Sequence, residues 1–273
     1  MAYAKINSVT NANMAKVSSV AKAALGKIAN IDAPSSFTNT YSINFDGAND
    51  YIRDTATDIT MDRCTVSYWQ KTDETGNIGN WMPVHIGTSF YLFHGYTGGN
   101  VYTYIANPVA GNLNINPDSA ASDGNWHHYV YTVAGGGSGN ENTSTMYRDG
   151  SVIGTVTATN TYVAPNDNVN LGGGWGGGNT YNLDGSLDEV AFWSSALSAD
   201  EVTAIYNSGA PIDLSSDSGN YVSSANLIHW WRMGDGDTYD GGDPKILDSA
   251  GDLDLSIVNM TSLAWRVEDV PSP

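Results

Sequence analysis

The sequence predicts an all-β protein carrying one short helix. Thirty glycines, sixteen tyrosines and eight tryptophans, with only 15% charged residues, suit sheets joined by many turns. Short runs with apolar side chains at every second position recur between Gly, Asn, Asp and Ser clusters, which is strand punctuation. One stretch, residues 184–209, breaks the pattern. Asp184-Gly185 reads there as a turn, and Leu187, Val190, Phe192 and Trp193 as a strand. Ser198 with Glu201 is a capping box, opening a helix whose apolar stripe is Val202, Ile205 and Tyr206. Gly209 suits the left-handed position that ends it.

At 273 residues the chain has room for one large β domain and an appendage. A net charge of −18 argues against nucleic acid as a partner. A single cysteine excludes an internal disulfide and is compatible with assembly in a reducing cytosol. The opening MAYAKINSVTNANMAK lacks the apolar core of a classical signal peptide. No run approaches the ~18 apolar residues of a membrane span, so no membrane partner is expected.

Residues 1–36 stand apart as an N-terminal basic arm and linker. Lys5, Lys16, Lys22 and Lys27 are four of the six lysines, and the first acidic residue is Asp32. Side chains before Asp32 therefore sum to +4, and the remainder, with seven basic and twenty-nine acidic residues, to −22. Val9, Ala12, Lys16, Val17, Val20, Ala24 and Ile28 fall on one face of a weak helix. The expectation is a docking segment that orders on a partner, with the four lysines as its contacts. Ala33-Pro34-Ser35-Ser36 reads as the linker.

The body, residues 37–273, reads strand by strand. Ile43 and Phe45 alternate with polar neighbours, Asp46 to Asp50 is a tight acidic turn, and Tyr51-Ile52 resumes the sheet. CTVSYWQK (64–71) is a strand with Cys64 as a small buried hydrophobe. Residues 81–93 read as two strands about Gly87-Thr88-Ser89, and 101–106 as another with Tyr102 and Tyr104 on one face. NWHHYVYTV (125–133) places His127 and His128 on opposite faces, which disfavours a shared metal. Asp149-Gly150 marks a hairpin. VNLGGGWGGG (169–178) is a strand running into a glycine-rich loop, outside any βαβ context.

These segments resemble the laminin-G-like members of the concanavalin A-like jelly-roll superfamily. The resemblance rests on SLDEVAFW leading into LSADEVTAIYNSG, on YSINFDGANDYI, CTVSYWQK, NWHHYV and MYRDGSVIG, and on LIHWWRMGDG with ILDSAGDLDLSIVN. It spans nearly all of the body and implies a sandwich of two antiparallel sheets. In many relatives the last pair precedes the counterpart of Tyr41, so its place here implies that the chain's end returns to pair near its start. The small-residue and lysine pattern of the arm resembles N-terminal segments of structural proteins from tailed phages.

For chemistry, the chain has no E-x-D-x-E run of the kind this fold's glycanases use, and Asp188 and Glu189, being adjacent, read as facing opposite ways. The expectation is no enzyme. A structural calcium is expected at Asp46, Asn49 and Asp50, with Asp188 matching the family's rim aspartate. Glycan binding is the role the resemblance implies, with Trp81, Tyr91, His94 and Tyr96 as candidate stacking residues. Tyr102, Trp175 and Tyr181 complete the set. Together these features point to a non-enzymatic phage virion protein, a capsid decoration or tail-fibre component assembled in the host cytoplasm. Its partners would be other virion proteins, host glycans and copies of itself. The alternative is a carbohydrate-binding module of a cell-surface or secreted protein.

Overall fold

The computed structural model describes residues 37–54, 59–60, 63–73, 80–87, 90–97, 100–107, 111–136, 139–159, 166–174, 181–237, 244–260 and 265–273. The arm with Lys5, Lys16, Lys22 and Lys27, and Trp175 in the glycine-rich loop, lie outside them. The chain divides into two units, Met1–Thr38 and Asn39–Pro273.

In chain order the strands begin with β1 (Ser42–Asp46), β2 (Tyr51–Arg53), β3 (Ile59–Thr60), β4 (Cys64–Lys71), β5 (Trp81–Ile86) and β6 (Phe90–Thr97). There follow β7 (Asn100–Ala106), β8 (Leu113–Ile115), β9 (Trp126–Gly135), β10 (Glu141–Arg148), β11 (Ser151–Thr159) and β12 (Asn166–Asp167). After β13 (Val169–Leu171) and β14 (Asp184–Trp193) comes helix α1 (Ala199–Tyr206), then β15 (Leu227–Trp231), β16 (Lys245–Ile246), β17 (Leu255–Val258) and β18 (Arg266–Val267). Among the described residues no helix is long and apolar enough to cross a membrane.

Two eight-stranded antiparallel sheets form a jelly-roll sandwich, as the sequence predicts. The back sheet runs β11-β10-β9-β4-β14-β1-β18, with β15 also paired to β14, and the front sheet runs β16-β17-β2-β13-β5-β6-β7-β8. The small pair β3–β12 is separate. Period-two alternation gives the strands a row of inward side chains, and the apolar rows of the two sheets meet between them. Ile43, Phe45, Val66, Tyr131 and Leu187 come from the back, and Ile52, Val84, Ile86, Leu92 and Ile105 from the front. Tyr51-Ile52 does not resume the sheet of β1: the Asp46–Asp50 turn carries the chain across to the front sheet. Cys64 is 1% exposed in this core.

The last strands of the body pair with its first two. Ser42 and Ile43 of β1 face Val267 and Arg266 of β18, and β2 pairs with β17. At the β10–β11 hairpin, Asp149 (φ 51°) and Gly150 (φ 75°) both take the left-handed backbone of a type I′ turn. Helix α1 carries the expected capping box: the Ser198 hydroxyl accepts from Glu201 N–H at 3.3 Å, and Glu201 Oε2 accepts from Ser198 N–H at 2.9 Å. Its left-handed cap is Asn207 (φ 45°) rather than Gly209, because Asn tolerates that backbone and comes two residues sooner. Asp184-Gly185 is the start of β14 and not a turn, since both pair with β1.

Candidate functional site

Strands β5 to β8 form a meander at one side of the front sheet, and their alternation sorts its aromatic residues. Leu92 and Ile105 point into the core, so Tyr91, Phe93 and Tyr104 point outward. Register sets Phe93 beside Tyr104 and Gly95 beside Tyr102. Tyr181, at φ 58° before β14, bends over the same face and accepts Met82 N–H on its carbonyl at 2.9 Å. The result is an open cleft of about 540 Å³.

Five rings line it as one connected cluster. Phe93 meets Tyr181 edge-on at 5.5 Å between centroids and lies 5.9 Å from Tyr102. Tyr91 lies 6.1 Å from Tyr104 and 6.4 Å from Phe93. Met82 contributes to the lining, and exposed Asn114 and Asn116 add two amides. Burial, with Tyr104 and Tyr181 nearby, pushes the Tyr91 phenol up, and burial beside Tyr181 does the same for Tyr102. Both hydroxyls therefore stay protonated at neutral pH and can donate as well as accept.

Three sequence candidates, Tyr91, Tyr102 and Tyr181, thus share this cleft. Trp81, Tyr91, His94, Tyr96 and Tyr102 lie on strands and not in loops. Trp81 and His94 do not reach the cleft: they face inward at 1% and 0% exposure and stack on each other at 5.7 Å. His94 belongs to a buried polar chain. Its Nδ1 lies 2.7 Å from Thr103 Oγ1, which donates to Asp118 at 2.5 Å, and its Nε2 lies 3.3 Å from Tyr68 Oη. Burial pushes its pKa down to about 4, so the ring is neutral. Tyr96 is in β6, and its side chain lies outside the described residues. Phe93, Tyr104 and the two asparagines were absent from the expected set. Spacing was the available signal, since Phe93 is two residues from Tyr91, Tyr104 two from Tyr102, and Asn116 two from Asn114.

The expected calcium ligands do not converge. Asp46 Oδ1 already accepts from the N–H groups of Ala48 at 2.9 Å and Asn49 at 3.4 Å, an Asx-turn. Burial and the charge of Asp46 raise the pKa of Asp50. Asp188 stands four residues along β14 from Asp184, the partner of Asp46, about 13 Å away at strand rise. It is fully buried, not at a rim, and accepts from Asn39 Nδ2 at 2.7 Å and Glu189 N–H at 2.8 Å. Among the described residues no group of three His, Cys, Asp or Glu is placed to hold a metal ion.

Asp188 and Glu189 also share a face, contrary to simple alternation. Leu187 and Val190 are both core residues, and a bulge between Asp188 and Ala191, with Glu189 at φ 47°, turns the two acids outward together. Glu189 is held by Trp230 Nε1 at 2.5 Å and Arg232 Nε at 3.3 Å. Burial raises both carboxyls; the charge of Glu189 pushes Asp188 up further, while Arg232 and the Trp230 indole pull Glu189 back down in part. His127 and His128 do face opposite ways. His127 bridges Asp149 and Asp123, while His128 is 2% exposed and stacks on Trp69 at 4.7 Å.

A family model described as the Concanavalin A-like lectin/glucanases superfamily matches residues 46–203. No curated protein matches the sequence. Among solved structures the fold is similar to a candidate carbohydrate-binding protein from Bacteroides ovatus ATCC 8483, with TM-score 0.61 and 17% identity over 87% of this chain. The chain spans 62% of that protein's length. It is also similar to the heptameric SAP-like pentraxin of Limulus polyphemus, with TM-score 0.50 and 17% identity, over 82% of this chain and 98% of that one. At such identities the likeness is one of fold. The matched residues run from the first turn of the sandwich into α1, and the chain belongs to the concanavalin A-like lectin/glucanases superfamily as a laminin-G-like domain.

Proposed function

We propose that the chain is a non-enzymatic, lectin-like protein that holds glycans in the outer cleft of its front sheet. The cleft carries this reading: five linked rings around about 540 Å³, bordered by two amides. The C–H faces of a sugar stack on such rings, and its hydroxyls pair with amide and phenol groups. Glycoside hydrolysis by the usual route calls for two carboxylates flanking the bond, roughly 5–10 Å apart. None of the described lining residues is acidic. The Bacteroides ovatus neighbour, described as a candidate carbohydrate binder, agrees with a binding role.

The test is a glycan array with the full chain. Binding is expected, with Tyr104→Ala weakening it about 2- to 12-fold, the equivalent of ~0.5–1.5 kcal/mol for one aromatic contact. Trp126→Ala, on the back sheet, should leave it unchanged. An array without a single hit would end the reading. The same proposal sets the protein on a phage virion, joined to capsid or tail through residues 1–36. The contrast between a +4 leader and a −22 remainder supports that setting. Mass spectrometry of purified particles tests it: removal of residues 1–33 should abolish incorporation, and incorporation of the truncated chain would refute the docking role.

A further inference from the structure

Resting on that reading, we propose that the cleft takes uncharged glycans and rejects those bearing carboxylate or sulfate. Its described lining contains no Asp, Glu, Lys, Arg or His. The sequence around it is equally bare. From Asn80 to Pro117 the chain runs 38 residues without one charged side chain, and from Asn168 to Leu183 a further 16. At the chain's 15% average the longer run alone would hold roughly six. Every described lining residue falls in one of these two runs.

This neutrality decides which ligand can lose its water. A neutral sugar exchanges hydroxyl hydration for the asparagine amides and for phenols that remain protonated. An anionic sugar would surrender the hydration of its charge with no cation to replace it, which is costly for any buried ion. It would do so on a chain of net charge −18, whose field opposes its approach. The eleven basic residues all lie outside the two uncharged runs. An apolar peptide is a poorer match, because four of the five rings carry hydroxyls and two amides border them.

The experiment uses the full chain and matched pairs of oligosaccharides, each neutral backbone set against its carboxylated or sulfated form, titrated at low and high salt. Neutral members should bind at least tenfold more tightly than their charged counterparts. High salt should narrow the gap only in part, since it screens the molecular field but supplies no cation in the cleft. Asn114→Lys, at an exposed position, should close most of the gap by supplying that cation. Equal or tighter binding of the anionic members would overturn the selectivity while leaving the glycan reading intact. Binding of neither set would overturn both.

Discussion

Gly95 lies beneath the ring of Tyr102. A Cβ built there would stand 2.3 Å from Asn80 Oδ1 and 2.8 Å from Tyr102 Cζ and Oη, closer than real side chains approach. The obstructing atoms are the far ends of two side chains, so Gly95→Ala should leave the fold intact while displacing the Asn80 amide and tilting the Tyr102 ring off the cleft. Glycan affinity should fall roughly fivefold, within the ~0.5–1.5 kcal/mol of one aromatic contact, with the melting temperature nearly unchanged. Calorimetric titration beside a thermal melt checks both halves. His127 makes a different prediction. Its Nδ1 lies 2.6 Å from Asp149, and this bond is the main cause of its raised pKa. A folded value above the unfolded ~6.5 means the contribution is complete below that pH and disappears as pH rises through the folded value. His127→Gln should cost about 1 kcal/mol at pH 5.5, discounted for partial exposure, and much less at pH 9. Denaturant titrations of both proteins at the two pH values measure it. Equal losses at both would contradict the ion pair.

Helix α1 shows what local chemistry makes legible. Its start could be read from Ser198 and Glu201 because a capping box is a short-range device, and Ser198→Ala should cost about 1 kcal/mol in a urea melt. Its end could not, because Asn207 and Gly209 both accept a left-handed backbone and packing decides between them. The bulge in β14 was equally hidden. Nothing in an Asp-Glu pair announces that one of them will adopt φ 47°; the Trp230 and Arg232 partners that hold Glu189 arrive more than forty residues later. That network predicts a pH dependence of its own. Burial raises Glu189, so the folded state keeps a proton that the unfolded chain releases. Stability from this group is therefore full below the unfolded value near 4.5 and declines as pH rises toward the folded one. Glu189→Gln should flatten the slope of stability against pH between 5 and 8. A slope identical to that of the parent protein would show that Glu189 is ionised throughout.

Across the whole molecule, closure and cleft differ in how far they could be foreseen. Resemblance of the C-terminal segment to one that usually opens the domain was enough to expect the end to pair with the beginning, and β18 does lie against β1. The last nine residues also place Trp265 in the core, and Asp269 takes Lys71 Nζ at 2.6 Å and Trp126 Nε1 at 3.0 Å. Truncation after residue 264 should cost at least the ~3–5 kcal/mol of losing a buried tryptophan, a large share of a typical ~5–15 kcal/mol total. The cleft was only half legible. Strands β5 and β6 carry aromatic rings on both faces, so alternation could group Tyr91 with Phe93 but could not say which group met solvent. Trp81 and His94 were consequently indistinguishable from true wall residues until the second sheet covered them.

The most direct test is nuclear magnetic resonance of the full chain with labelled tyrosine and phenylalanine rings, titrated with a neutral oligosaccharide that binds on the array. The ring signals of Tyr91, Phe93, Tyr102, Tyr104 and Tyr181 should shift together and saturate at one affinity, while those of core Tyr68, Tyr129 and Tyr131 stay in place. Saturable binding that leaves all five unmoved would contradict the assignment of the cleft.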